Sequence, residues 1–316
     1  MRHLAYLNLL FLLILCPISM SVGVADFSWS DVFQQPEQTQ LFFVSRLPRT
    51  FAIILVGATL SIAGMVLQIV LKNRFIEPSM IGASQSAALG ILIATLLFPA
   101  TPLLAKMSFA AVCALIGMAI FMFLMRNLPP HQKLMLPLIG IIFGNVIESI
   151  TTFIAYETDS LQLLSVWFAG DFSGVLAGRY ELLWLTAGLA FMIYIMADRL
   201  SIAGLGQNIS TSLGINYHQM TWFALIIVAM ITALIVVTIG QIPFIGLVVP
   251  NIVSRLAGDR LRQNLPTVVL FGANLMLACD IVGRVINAPF EVPISTIFGI
   301  IGTLIFLYLL FRGQRS

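Results

Sequence analysis

Residues 45–90 read SRLPRTFAIILVGATLSIAGMVLQIVLKNRFIEPSMIGASQSAALG. Arg46 and Arg49 stand at the edge of an apolar run, and from Thr50 to Leu71 there is no charge at all. That run is span-length, since a helix needs about 20 residues to cross a bilayer. Within it Gly57, Ser61 and Gly64 recur at helical spacing and share one face, and small residues on one face let a second helix approach closely. Lys72-Asn73-Arg74-Phe75-Ile76-Glu77-Pro78-Ser79 is a polar break, after which Ile81 begins another apolar run. The pattern predicts a membrane helix hairpin whose first member carries a face shaped for a partner.

The rest of the chain has the same character. Of 316 residues 59% are hydrophobic and 9% charged, with a mean hydropathy of +1.03. A soluble domain carries about 25% charged residues, so most of this surface meets lipid. Membrane barrels alternate apolar and polar residues, whereas the runs here are continuous, so the expected fold is all-α and polytopic. No polar stretch is long enough for a separate domain, and any ATPase or receptor domain belongs to another chain. Cys16, Cys113 and Cys279 each fall in an expected span and read as small core residues, not as disulfide partners or metal ligands. No cofactor is expected.

Ten spans are expected, at residues 4–24, 50–71, 81–98, 107–125, 136–156, 182–197, 220–239, 240–256, 266–285 and 293–311. A cleaved signal peptide would resemble the first, with small residues at Gly23-Val24-Ala25 before Asp26. Its length and the many spans after it favour an uncleaved helix. Residues 27–44 read as a polar loop, and residues 198–219 as a polar segment with three glycines. Leu161–Phe168 is amphipathic and reads as a short surface helix. An even number of spans puts both termini on one side. With the termini in the cytoplasm, inner segments carry 11 Lys and Arg and outer segments 5, which fixes the orientation by the positive-inside bias. Arg46, Arg49 and Arg284 break that bias at outer span edges.

Catalysis finds no support. His3, His131 and His218 all lie in expected loops, and there is no zinc-protease, nucleophile-elbow or phosphate-loop motif. Glu148 and Asp280 are carboxylates inside expected spans, costly in hydrocarbon and functional candidates on that ground. Asp280 lies four residues before Arg284, the favourable order for a helical ion pair; Glu148 has no such neighbour. Gly240 to Asn251, interrupted by Pro243 and Pro250, frees backbone groups that must be buried in protein or line a cavity. Gly204 to Tyr217 can form two short helices hinged at glycines, a compact shape for docking into another protein.

Several of these segments together resemble one family. Arg46-Leu47-Pro48-Arg49-Thr50, the Gly57…Gly64…Gln68 helix, Glu77-Pro78-Ser79…Gly82, Gly206…Leu213-Gly214, Ile242 to Pro250 and Asp280…Arg284…Glu291-Val292-Pro293-Ile294 are similar, in order, to the permeases of bacterial importers for iron-siderophores, haem and vitamin B12. The resemblance runs from about Arg46 to Arg312. It implies a type II ABC importer permease of ten helices in the bacterial inner membrane. Two permease subunits would line one pathway, with two cytoplasmic ATPases and a periplasmic or lipid-anchored binding protein. Carried over by position, Arg46, Arg49 and Arg284 match outer basic positions that meet the binding protein. Gly206, Leu213, Gly214, Ile215 and Tyr217 match the segment seated in the ATPase, and Asn73 and Phe75 the turn that narrows the inner end of the pathway. Arg74 stands where many members have proline, and Gln207, Asn208 and Ser210 where many carry charges.

The turn from Asn73 to Ser79 looks most like the ferric-siderophore branch, in which two different permeases pair. The expected function is the permease of an ATP-driven ferric-siderophore importer. A haem or cobalamin importer is the alternative within the class. A proton- or cation-coupled transporter using Glu148 and Asp280 is the alternative outside it.

Overall fold

The computed structural model describes residues 2–23, 27–32, 34–126, 136–178, 180–258 and 261–313. The proposed cleavage point before Asp26, His131 and Lys133 of the charged break, Arg179, Arg260 and the Gln314–Ser316 tail lie outside the described residues. The described regular structure is helical: α1 Arg2–Ser21, α2 Pro36–Leu41, α3 Leu47–Val70, α4 Ala83–Leu97, α5 Leu103–Arg126, α6 Leu136–Glu157 and α7 Leu161–Phe168. It continues with α8 Leu183–Leu205, α9 Gln207–Ser212, α10 Tyr217–Ile239, α11 Ile245–Ala257, α12 Leu261–Val285 and α13 Ile294–Gly313. Seven segments are long and apolar enough to cross a membrane, and α4, α11 and α13 are shorter apolar helices.

The central element is α3. Of its most apolar window 83% is buried within the protein, against 17–33% for those containing α1, α5, α6 and α8. It packs on α12, α8, α11 and α10. The small-residue face does the work expected of it, and it has two partners. Gly57 and Ser61 lie against Gly272 of α12, and Gly64 lies against Gly246 at the start of α11. Side chains at these positions would hold the backbones apart.

Several bounds differ from those read from sequence. Residues 27–44 are not all loop, because α2, a π-turn at Phe42–Arg46 and α3 run on as one helix from Pro36 to Val70. Pro48 is therefore not in a first turn. It has no N–H to offer the carbonyl four residues back, and that carbonyl, Val44 O, accepts instead from Ala177 N–H at 2.9 Å. A π-turn just before a proline is a common way to absorb the missing bond. At the other end of the molecule α8 runs on to Leu205, well past the expected end at residue 197, and α10 starts at Tyr217. Polar side chains on these turns project from the bundle into water, so composition alone marked them as loop. Where two short hinged helices were expected there is one, α9, between Gly206 and Gly214.

Candidate functional site

The residues singled out in the sequence, Glu148 of α6 apart, gather near the two ends of α3. At the N-terminal end the three arginines do not form an exposed patch. The side chain of Arg284 is 2% exposed and that of Arg49 12%; Arg46 is buried. Each guanidinium is aimed into the protein. Arg49 Nη2 donates to Asp280 Oδ1 at 2.8 Å, and Arg49 Nη1 to Glu291 Oε2 at 2.7 Å. Arg284 Nη2 lies 2.6 Å from Asp280 Oδ2 as an ion pair, and its other bonds go to Ser19 O, Val22 O and Ser19 Oγ at 2.6–2.8 Å. Arg46 also donates to Val22 O. Two cations thus cap the carbonyl end of α1, where cations are favoured. A single carboxylate, Asp280, sits between two arginines.

Arg46 and Arg49 lie three residues apart at this end of the continuous helix. They diverge, one to α1 and the other to α12 and the Glu291 loop. The physical reason is desolvation: at this depth a guanidinium without a carboxylate or carbonyls is costly, and α1 and α12 supply both. Among the three, Arg49 keeps the route to the outside, through Glu291, whose side chain is 22% exposed. Glu291 was quoted only as part of a motif; its partner lies 242 residues away, and no local spacing signals such a pair.

Glu148 is not enclosed. It is half-buried on α6, where Asn145, Glu148, Ser149 and Thr152 recur at helical spacing along one face. Besides Asp280, the enclosed carboxylate among the described residues is Glu77, 3% exposed, which accepts from Ser79 Oγ and from the Phe244 N–H just before α11. A carboxylate at a helix N-terminus offsets the unpaired N–H groups there.

At the C-terminal end of α3, Asn73 is buried and Phe75 is 43% exposed. Asn73 Oδ1 accepts from Phe75 N–H at 2.8 Å and shapes the turn. Phe75 meets Phe306 of α13 edge-to-face, ring centroids 6.1 Å apart. The turn is tied to α11 by Asn251 Nδ2 donating to Arg74 O at 2.8 Å, and by Gln68 Nε2 donating to Gly246 O at 3.2 Å.

Beside this turn lies the Gly206–Tyr217 segment. Its helix α9 ends in a Schellman motif: Ile215 N–H donates to Ser210 O at 2.8 Å and Gly214 N–H to Thr211 O at 3.0 Å. Gly214 has φ +76° with open space where a Cβ would stand, so backbone conformation alone selects glycine there. Asn216 then caps α10 by accepting from Gln219 N–H at 3.1 Å. Leu205, Ile209 and Leu213 present exposed apolar side chains, while Ile215 and Tyr217 are half-buried. Ile209 was not singled out in the sequence. It stands four residues from Leu213, which was signal enough.

A model of the FecCD transport family matches residues 10–312. The chain belongs to the FecCD transport family. It is 44% identical over 312 residues to the petrobactin import system permease protein YclN of Bacillus subtilis, with 98% of each chain covered. It is 36% identical over 303 residues to the ferric-anguibactin transport system permease protein FatD of Vibrio anguillarum, with 96% of each covered. Its fold matches a solved inward-facing ABC transporter assigned to the metal-chelate type, with a TM-score of 0.85 and 26% identity. That match covers 99% of this chain and 100% of the other. As a FecCD family permease the chain is an all-helical, multi-pass membrane protein, with the type II importer architecture expected from its sequence.

Proposed function

We propose that this chain is the permease of an ATP-driven importer of ferric siderophores. The observation that carries this is the 44% identity to a petrobactin permease across 98% of both chains, a match too long to reflect shared hydropathy. ATP hydrolysis belongs to separate ATPase subunits. A second permease, related but different in sequence, completes the pathway, and a periplasmic or lipid-anchored binding protein delivers the chelate. The positive-inside bias places both termini in the cytoplasm. The Arg49 end of α3 then faces outward and the Asn73–Phe75 turn faces the cytoplasm as the inner gate.

In this reading Gly206–Tyr217 seats in the ATPase through Ile209 and Leu213, with the exposed Leu205 at the end of α8 beside them. Docking of the binding protein falls chiefly to Arg49, whose planar fork suits carboxylates. A docking carboxylate would exchange with Glu291, while Arg46 and Arg284 stay on α1. The buried Asp280 is committed to two arginines, which favours an ion-pair role over a proton relay. The test is uptake by the reconstituted importer over a panel of ferric siderophores that includes petrobactin. Uptake that needs ATP and survives uncouplers is expected. Uptake driven by a proton gradient without ATP would overturn the proposal.

A further inference from the structure

The helix α3 ends in a Schellman motif: Asn73 N–H donates to Gln68 O at 3.0 Å and Lys72 N–H to Ile69 O at 3.2 Å. The residue at the left-handed position of that motif is Lys72, at φ +52°, where glycine is usual. An L side chain in this conformation is disfavoured, because its Cβ crowds the following carbonyl oxygen. Such strain persists where the surroundings require it. Here the side chain has a specific destination. Lys72 Nζ donates to Leu205 O at 2.6 Å, the last residue of α8, where a cation meets the carbonyl end of a helix. Gly206 follows at φ +111°, a conformation that favours glycine, and it lies close beside that ammonium.

What Lys72 joins is the point. On one side is the turn holding Asn73 and Phe75. On the other is α9, bound to the end of α8 by the buried Ser210, whose Oγ donates to Ile202 O at 3.0 Å and Gly206 O at 2.7 Å. A displacement of α9 therefore reaches Leu205 O, and through Lys72 Nζ it reaches the turn. We infer that Lys72 is a positioning residue that couples the ATPase-facing segment to the inner gate. This rests on the assignment of Gly206–Tyr217 and Asn73–Phe75 to those roles.

The test uses the complete importer in proteoliposomes, reading ferric petrobactin uptake per ATP hydrolysed, with the melting temperature of the purified complex beside it. Lys72→Gly removes the ammonium and also relieves the left-handed strain. A purely structural role for Lys72 predicts unchanged uptake per ATP, whichever way the melting temperature moves. The strut predicts uptake per ATP lower by about fivefold or more, the low end of measured coupling between sites. Lys72→Arg, which keeps a cationic donor, should recover most of it. Normal uptake per ATP in Lys72→Gly, or equal failure of Lys72→Gly and Lys72→Arg, overturns the strut. Gly214→Val separates this from the reading beneath it. If Gly214→Val impairs uptake while Lys72→Gly does not, the strut alone is wrong. If Gly214→Val is fully active, the coupling segment is wrong and the strut falls with it.

Discussion

Replacing Gly57 by alanine adds one methyl group at the closest approach of α3 and α12. An ideal Cβ there would lie 2.6 Å from Gly272 O, 3.0 Å from Gly272 C and 2.8 Å from Met276 Cγ. The Met276 side chain can swing away; the Gly272 backbone cannot. Carbon–oxygen contacts settle at about 3.3 Å or more, so the helices must part by about 0.7 Å. Overpacking of this kind costs about 1–3 kcal/mol. The separation is not confined to the seam, because α12 also carries Asp280, bonded at 2.8 Å to Arg49 of α3. Gly188, with nothing within 4 Å of its Cβ position, is the control; alanine there gains up to about 1 kcal/mol of helix propensity. Thermal unfolding of the purified permease in detergent reads the difference. At about 2–4 °C per kcal/mol in domains of 150–250 residues, Gly57→Ala should melt at least about 2 °C below wild type and Gly188→Ala at or above it. A Gly57→Ala protein that melts with wild type would refute the seam as a tight backbone contact.

Asp280→Asn leaves two buried guanidiniums facing each other, and breaking a buried pair costs about 3–5 kcal/mol. The yield of monodisperse protein and its melting temperature should both fall, and wild-type values would show that the cluster is not structural. Glu291→Gln frees Arg49 from its half-exposed partner, so the binding protein should associate more tightly and with a steeper loss in salt. Unchanged or weaker association in surface plasmon resonance would argue against docking at Arg49. Gly214→Val forces a β-branched residue to φ +76° and should unravel the end of α9, abolishing uptake while the protein still reaches the membrane. Full uptake with the ATPase co-purifying would remove the coupling role.

What the sequence determined by itself is what depends on near neighbours along the chain. Unbroken apolar runs require helices in lipid, since only a helix satisfies its own backbone there. The spacing of Gly57, Ser61 and Gly64 sets a close-packing face, and the four-residue step from Asp280 to Arg284 sets an ion pair. Left-handed φ at Gly214 follows from its place after a short helix. Tertiary structure decided the partners. The seam on α3 meets Gly272 of α12 over one half and Gly246 of α11 over the other, and composition cannot say which of several apolar helices will cover it. Arg49 and Asp280 are 231 residues apart, and Lys72 and Leu205 are 133 apart. Read along the chain, the arginines were outward charges and Lys72 a count in the positive-inside bias. Their roles depend on which carbonyls and carboxylates the packed helices bring within reach, because a charge withdrawn from water must find its partner wherever the fold places one.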